Sequence, residues 1–505
     1  MEEPLCTRLG VLMSAKVTKE EILKDYNKLV SLAEKHFAKK QYESSVTAIK
    51  TAALLMYNFN LIYTDERLES LLHKIADVYI PQLSIERTDK AVLFYDWWCW
   101  ETRGLSNIYI KALLANGYKV IVVTPKQNKN TTSWLKELLG ENEIIEFYDT
   151  KASCKKQLEE LANIYNKYKP SFTFFHSMPN DVTGCSFFAK IPCTRYQINL
   201  TDHAYWLGAT CLDYSLEFRD YGYTISKNHR HILQKKLIVL PYYPVHKMVT
   251  ADSMKDFFEK HKNIVFSGGS LYKIAGSPVF FEIVSYILDT YKDSTFVFIG
   301  GGNPESINNF ISQKGYQDRF FYFTERPDFE DFIRHSKFFL CTYPIMGALM
   351  NQLAVINGKI PLCYNPNMDG IARDGDNESL FIDTGHNPIM SYQTLDELKH
   401  EIDRLFLDND YLSKKENQLE GMIITETDFA EQVRNILETN STKYKGNERK
   451  LDLDEFAQIY IDAENNTNRQ YNIIFAQSKS SVIYRRFPVK CFYGVANFFL
   501  RRIIK

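Results

Sequence analysis

This sequence predicts a parallel α/β fold in two consecutive doubly wound domains, on three observations. Apolar runs of strand length recur about every 20–25 residues across much of the chain. Amphipathic stretches of helical period separate them. Glycine-rich turns stand where the runs end. Strands that alternate with helices pair in parallel, because a crossover helix carries the chain back to the same end of the sheet. A chain of 505 residues has room for two to four domains and buries its cores without staples.

Residues 1–85 read as a helical head. Ile22, Tyr26, Leu29, Leu32, Ala33 and Phe37 recur at three and four, as do Ala48, Ala52, Leu55 and Met56, and then Leu68, Leu71, Leu72, Ile75 and Ala76. About three helices are expected, ending near Pro81. At Lys90 the texture changes. AVLFYDWWCW is a buried parallel strand, GLSNIYIKALLANGY an opening glycine and a helix, and KVIVVTP the next strand; together they form a βαβ unit. Further strands are expected in SFTFFHSMP and TRYQINLTD, and KKLIVLPYYP closes this first domain, 86–245, as a linker.

A second series runs through 255–440. NIVFSGG, STFVFIGGG, RFFYFTE, KFFLCTYP and KIPLCYN are its strands, and the text between them is helical. NSTKYKGNERK is a polar linker into a tail that completes 441–505. Two such domains present the carboxyl ends of their strands to a shared cleft.

The chain is 45% hydrophobic and 24% charged, as an ordinary globular protein is. Its 61 Lys+Arg and 62 Asp+Glu leave −1, which excludes nucleic-acid binding by bulk positive charge. The nine cysteines are scattered with no C-x-x-C, and read as reduced, mostly buried thiols. MEEPLCTRLGVLMSAK lacks the basic and apolar regions of a signal peptide, and no apolar run is long enough to span a bilayer.

The strand exits supply the candidate chemistry. Ser267, Gly268 and Gly269 leave the first strand of the second domain, and Lys273 follows. Glycine there lets backbone N–H groups approach phosphate, and the lysine can reach a diphosphate. Gly300, Gly301 and Gly302 form a weaker signal. Met346, Gly347, Ala348 and Leu349 open a helix whose partly positive N-terminus suits a diphosphate or ribose. Asn351 and Gln352 are polar on that helix, and solvent exposure accounts for them equally well. Arg326 approaches the nucleotide or pairs with Asp328 or Glu330. Asp369, Gly370 and Ile371 stand near the expected sugar, and Asp383 reads as a helix or turn residue.

In the first domain Asp202 and His203 end one strand and His176 another. A histidine near its unperturbed pKa is part neutral at pH 7, as a base must be, and the neighbouring aspartate can orient it or act itself. His229, His231 and His246 lie in polar or linker text. Asp213, Glu217 and Arg219 either bind acceptor hydroxyls or form an ion pair, and the structural reading is preferred.

NIVFSGGSLYKI, then STFVFIGGG, then the small-residue helix before GKIPL together resemble the donor domain of GT-B glycosyltransferases, over roughly residues 90–440. SLYKI is also similar to the segment of O-linked N-acetylglucosamine transferases whose lysine meets the UDP diphosphate, which implies that role for Lys273. INLTDHAYWLG resembles the strand-end histidine segment of GT-B enzymes and of bacterial surface and capsular polysaccharide glycosyltransferases with a helical head. The resemblance implies transfer of a sugar from a nucleotide sugar, most simply UDP-linked, to a glycan, lipid-linked or protein acceptor in surface glycan assembly. Between Tyr343 and Pro361 there is no Glu, whereas many retaining members carry two near that helix, so inversion with His203 as base is expected. No metal and no cofactor beyond the nucleotide sugar as co-substrate is expected. A sugar-nucleotide epimerase of the same fold, and an inactive GT-B subunit that stabilises a partner, are the alternatives.

The tail sharpens the charge argument. Residues 479–505 hold Lys479, Arg485, Arg486, Lys490, Arg501, Arg502 and Lys505 and no acid, so they carry +7 and the rest of the chain −8. Basic residues with Val489, Phe492, Ala496, Phe499, Leu500 and Ile503 at helical spacing fit an interfacial helix on an anionic membrane through 482–505. The expected location is cytoplasmic, peripheral on the inner face of the plasma membrane.

Overall fold

The computed structural model describes residues 16–102, 104–140, 144–246, 249–275, 277–366, 371–372, 378–467, 469–478 and 480–487. The head is three helices, Lys19–Ala38, Tyr42–Phe59 and Glu66–Tyr79. The first starts at Thr18, whose side chain accepts from the Glu21 N–H, and Glu20 and Glu21 complement its positive end. Asp65 caps the third in the same way through the Arg67 N–H.

The first sheet holds seven parallel strands: β1 Thr88–Asp96, β2 Lys119–Pro125, β3 Ile145–Tyr148, β4 Pro170–His176, β5 Thr194–Ile198, β6 Tyr214–Glu217 and β7 Leu237–Val239. They lie in the order β3-β2-β1-β4-β5-β6-β7. The second holds β8 Asn263–Gly268, β9 Ser294–Ile299, β10 Phe320–Phe323, β11 Ser336–Leu340 and β12 Pro361–Tyr364. Between β12 and its edge strand the chain makes β13 Ile371–Ala372, which pairs outside the sheet, and then β14 Ser391–Tyr392 completes the order β10-β9-β8-β11-β12-β14. Both orders reverse at one point, between β1 and β4 and between β8 and β11, where doubly wound sheets bind ligands. Strands β3, β6 and β7 were not anticipated as such. Each is only three or four residues long, too short for a periodic signal.

Alternation on β1 assigns its two faces to different cores. Val92 and Phe94 join a core that continues into the second domain. Ala91, Leu93 and Tyr95 join one shared with the head and tail. Burying side chains the size of Val92, Leu93 and Phe94 stabilises by about 1.5–3 kcal/mol each.

The chain crosses back twice. Helix Glu426–Thr439 lies against the first sheet's helix Ser106–Ala115, with the Phe429 and Tyr109 rings edge to face at 5.0 Å. The Tyr196 hydroxyl donates to Asn440 Oδ1 at 2.7 Å. Next, β15 Lys450–Leu451 pairs with β13, and helices Leu453–Thr467, Arg469–Gln477 and Ser481–Tyr484 follow. They dock on the head: Ile461, Ile474 and Ile483 are buried, and Asn465 bonds both the Val17 N–H and C=O. Arg485 and Arg486, expected within the membrane-facing basic stretch 482–505, pair instead with the buried Asp25. The rest of the predicted amphipathic run, 488–505, lies outside the described residues. Among the described residues no helix is long and apolar enough to cross a membrane.

Cysteine use differs from the expectation. Cys341 and Cys363 form a disulfide, with Cα atoms 5.0 Å apart. The reason is tertiary: Cys341 directly follows β11 and Cys363 lies within the neighbouring strand β12, where Leu340 pairs with Leu362, and no sequence spacing reports that. Cys99, Cys154, Cys185, Cys193 and Cys211 are free and buried.

Candidate functional site

Two cavities open where the carboxyl ends of the sheets face one another, and both have the size of small-molecule sites. The larger, about 630 Å³, belongs mainly to the second domain: Gly269, Ser270, Lys273, Gly300, Arg326, Gly347, Ala348 and Leu349 line it, with Glu101, Thr102 and Val245 opposite. The other, about 410 Å³, is bounded by Asp202, His203 and Arg219 and by the rings of Trp100, Phe218, Tyr242 and Tyr243. The head adds Tyr57, the second domain Tyr272 and the tail Tyr460. Lys273, Ala348 and Leu349 border both cavities.

The exits of β8 and β9 are nested. The Gly269 N–H donates to Ile299 C=O at 3.0 Å. Gly269 has φ +133°, a conformation glycine takes without strain. A Cβ on Gly300 would stand 1.8 Å from the Gly269 carbonyl oxygen, so only glycine fits there. The chain then makes the short turn Leu271–Lys273. Lys273 Nζ donates to Met346 C=O at 2.8 Å, which pins the ammonium beside Gly347 at the start of helix Ala348–Ile356. An ammonium, a glycine turn and a helix N-terminus thus share one cavity, and all three favour an anion.

On the other wall Arg219 grips Asp202, Nε to Oδ2 at 2.6 Å and Nη2 to Oδ1 at 3.0 Å. Asp202 Oδ1 also lies 3.3 Å from His203 Nδ1. Burial alone would push the Asp202 carboxyl up, but the Arg219 guanidinium and the His203 imidazole outweigh it and hold it well below the usual carboxylate range. Asp202 is therefore a buried anion set between Arg219 and His203. A donor bond from Nδ1 leaves Nε2 as the basic nitrogen of His203, whose side chain is 30% exposed. Arg230, buried under this loop, donates to the carbonyls of Asp202 and Ala204, and burial pushes its guanidinium down to about 10.

The remaining candidates lie elsewhere. His176 is fully buried, with Nδ1 between Asp96 Oδ1 at 2.9 Å and Ser106 Oγ at 3.0 Å. It lines neither cavity: Gly104 stands against its ring, and it sits at the junction of β1 and β4. Ser267, Gly268 and Gly301 do not line the larger cavity. A Cβ on Gly268 would meet the Ile299 carbonyl at 2.9 Å, and one on Gly301 the Glu325 carboxylate at 2.9 Å. Gln352 and Asn351 are buried, not solvated; Gln352 Nε2 reaches the carbonyls of Tyr242 and Leu380. Arg326 does line the cavity, but Asp328 holds it bidentately at 2.6 and 2.7 Å. Asp213 is taken by Arg195, and Glu217 by Asn199 and Ser215. Asp383 accepts from the Gly385 N–H in a turn. Asp369 and Gly370 lie outside the described residues.

Several lining residues are not expected at a site from sequence. Glu325 and Glu330 follow β10 and border the larger cavity. Trp100, Glu101 and Thr102 follow β1, a central strand, and the rule that ligands sit beyond the carboxyl ends at the reversal of strand order points to that exit. Tyr57 and Tyr460 reach the cleft only through tertiary packing.

No family model and no curated protein matches the sequence. Solved structures do resemble the fold. The chain is similar to HepE from Anabaena, solved in complex with UDP and glucose, at 11% identity and a TM-score of 0.52, over 69% of this chain and 99% of that one. It is similar to an O-GlcNAc transferase variant from Thermobaculum terrenum at 14% identity and 0.53, over 88% and 82%. It also resembles a protein described as a UDP-N-acetylglucosamine 2-epimerase from Listeria monocytogenes, at 10% and 0.50, over 72% and 100%. At these identities the likeness speaks to architecture, and with the two strand orders it establishes a GT-B fold: two Rossmann-like domains facing a cleft, with helical regions before and after them.

Proposed function

We propose that the protein is a glycosyltransferase that takes a sugar from a nucleotide sugar, most simply UDP-linked. The observation that carries this reading is the position of Lys273. Its ammonium stands at a helix N-terminus in one cavity and borders the second, onto which His203 opens. A donor diphosphate bound by Lys273, Gly269 and the Gly347 N-terminus would present its sugar to the aromatic cavity. An acceptor hydroxyl there would lose its proton to His203 Nε2 as it attacks the anomeric carbon. The nucleoside diphosphate leaves from the opposite face, so the configuration inverts. Lys273 stabilises the charge that develops on the leaving phosphate, which is chemistry that needs no metal. Asp202, fixed by Arg219, would stabilise the imidazolium. The acceptor is a glycan, lipid-linked or protein group in surface glycan assembly. The basic sequence after Phe487 fits peripheral attachment to the cytoplasmic membrane face.

A thermal-shift screen of nucleotide sugars tests the donor half, and consumption of the stabilising compound with membrane-fraction acceptors tests transfer. If no nucleotide sugar raises the melting temperature, the reading fails. The likeness to the epimerase fold favours one competing reading: release of an epimerised sugar nucleotide without acceptor would establish it.

A further inference from the structure

Helix Lys19–Ala38 buries Ile22, Tyr26, Leu29, Val30 and Ala33 against the head. Its opposite side presents Lys24, Lys28 and Lys35, all exposed. Spacings of four and seven put the three on one face. With Asn27, Ser31 and Leu32, and with Val482 from the tail, they line an open groove of about 670 Å³. Among the described residues none of the three lysines is engaged in an ion pair or hydrogen bond.

The acids of this helix do not cancel that charge. Glu21 and Asp25 face Arg486, and Asp25 also pairs with Arg485. Glu34 lies toward Arg67, and Glu20 stands at the amino-terminal edge of the face. The chain leaves the head beside this groove: Phe487 is five positions past Val482. The sequence beyond holds Lys490, Arg501, Arg502 and Lys505 with Phe492 and Phe499 and no acid. A basic tail repels a basic groove, so the tail is a poor cover for it. Both are suited to the same anionic partner, in a protein whose remaining residues carry −8.

We propose that Lys24, Lys28 and Lys35 form a docking face for an anionic lipid bilayer, next to the point where the basic tail departs; this rests on the membrane reading of the tail. Lysines near an anionic surface act additively and are screened by salt. The face would lay the head on the bilayer and fix the orientation of the cleft relative to it. The tail alone would only tether.

The test is co-sedimentation of the full chain with vesicles of phosphatidylcholine, alone and mixed with phosphatidylglycerol. The full chain is expected to pellet with the anionic vesicles only, and to be released by added salt. Lys24→Gln/Lys28→Gln/Lys35→Gln should lower the partition coefficient on the order of a hundredfold, and the corresponding triple Arg variant should keep it. The lysines are exposed, so all variants should share one melting temperature. If the triple Gln variant partitions like the wild type, the proposal is overturned. A full chain carrying Lys490→Gln/Arg501→Gln/Arg502→Gln/Lys505→Gln separates the two ideas. Retained, lysine-dependent binding there sinks the tail reading and leaves the groove standing. No binding by the wild type sinks both.

Discussion

The Arg469 guanidinium lies over the ring of Tyr272, 3.9 Å from its centroid. Arg469 begins the tail helix Arg469–Gln477, and Tyr272 sits in the turn that carries Lys273. The tail thereby holds the turn that aims the lysine into both cavities. A stacked cation of this kind contributes about 0.5–2 kcal/mol. Arg469→Ala is expected to raise the KM for the nucleotide sugar several-fold while changing kcat little, with Arg469→Lys in between. Steady-state kinetics on the three proteins would check it; an unchanged KM in the Ala variant removes the coupling.

Lys273→Ala removes the charge itself. A hydrogen bond to a charged group contributes about 1.5–3 kcal/mol, so donor affinity should fall ten- to hundred-fold. Calorimetric titration with the stabilising nucleotide sugar measures this, and equal affinity for both proteins would contradict the diphosphate role.

His203→Ala should leave donor affinity alone and lower kcat by about 10² to 10⁴, the range of a general base. The same titration, paired with a turnover assay, separates binding from chemistry. If kcat is retained, the base lies elsewhere in the cleft.

Asp202→Asn strands the buried Arg219 charge and should cost about 3–5 kcal/mol at neutral pH. The sign of the pH dependence follows from the direction of the shift. A carboxyl held below its ordinary value contributes stability that is complete above the unfolded pKa of about 3.9 and is lost as pH falls toward the folded value. The difference in unfolding free energy between wild type and variant should stay level from pH 8 to about 5 and shrink only below about 4. Urea melts across that range report it, and a difference that shrinks near pH 6 would point to another group.

Gly300→Ala places a methyl group against the Gly269 carbonyl, so the two strand exits must part. Overpacking of this kind costs about 1–3 kcal/mol. Both the melting temperature and donor binding should fall, whereas Gly315→Ala, with no atom within 4 Å of the added carbon, would probe only the backbone strain at its positive φ.

Much of the architecture was legible because its causes are local. The three- and four-residue recurrence that makes Ile22, Tyr26, Leu29 and Ala33 one stripe is a property of a single helix. The apolar runs at Ala91–Tyr95 and Ile264–Phe266 announce buried parallel strands, and Gly269 and Gly300 mark the exits of β8 and of its neighbour β9. From these alone came two doubly wound domains, a helical head, and Lys273 and His203 at strand ends. Which of the candidates meet in a cleft depends on residues far apart in the chain, and periodicity is silent there. Only the tertiary structure paired Arg219 with Asp202, closed Gly104 over His176, buried Gln352 and joined Cys341 to Cys363. It also folded the tail back, so that Asp25 and Glu21 pair with Arg485 and Arg486, while Lys24, Lys28 and Lys35 have no such partner among the described residues. Charge and hydrophobicity are written along the chain, but burial and pairing are set by distances that exist only once the two sheets, the head and the tail have packed.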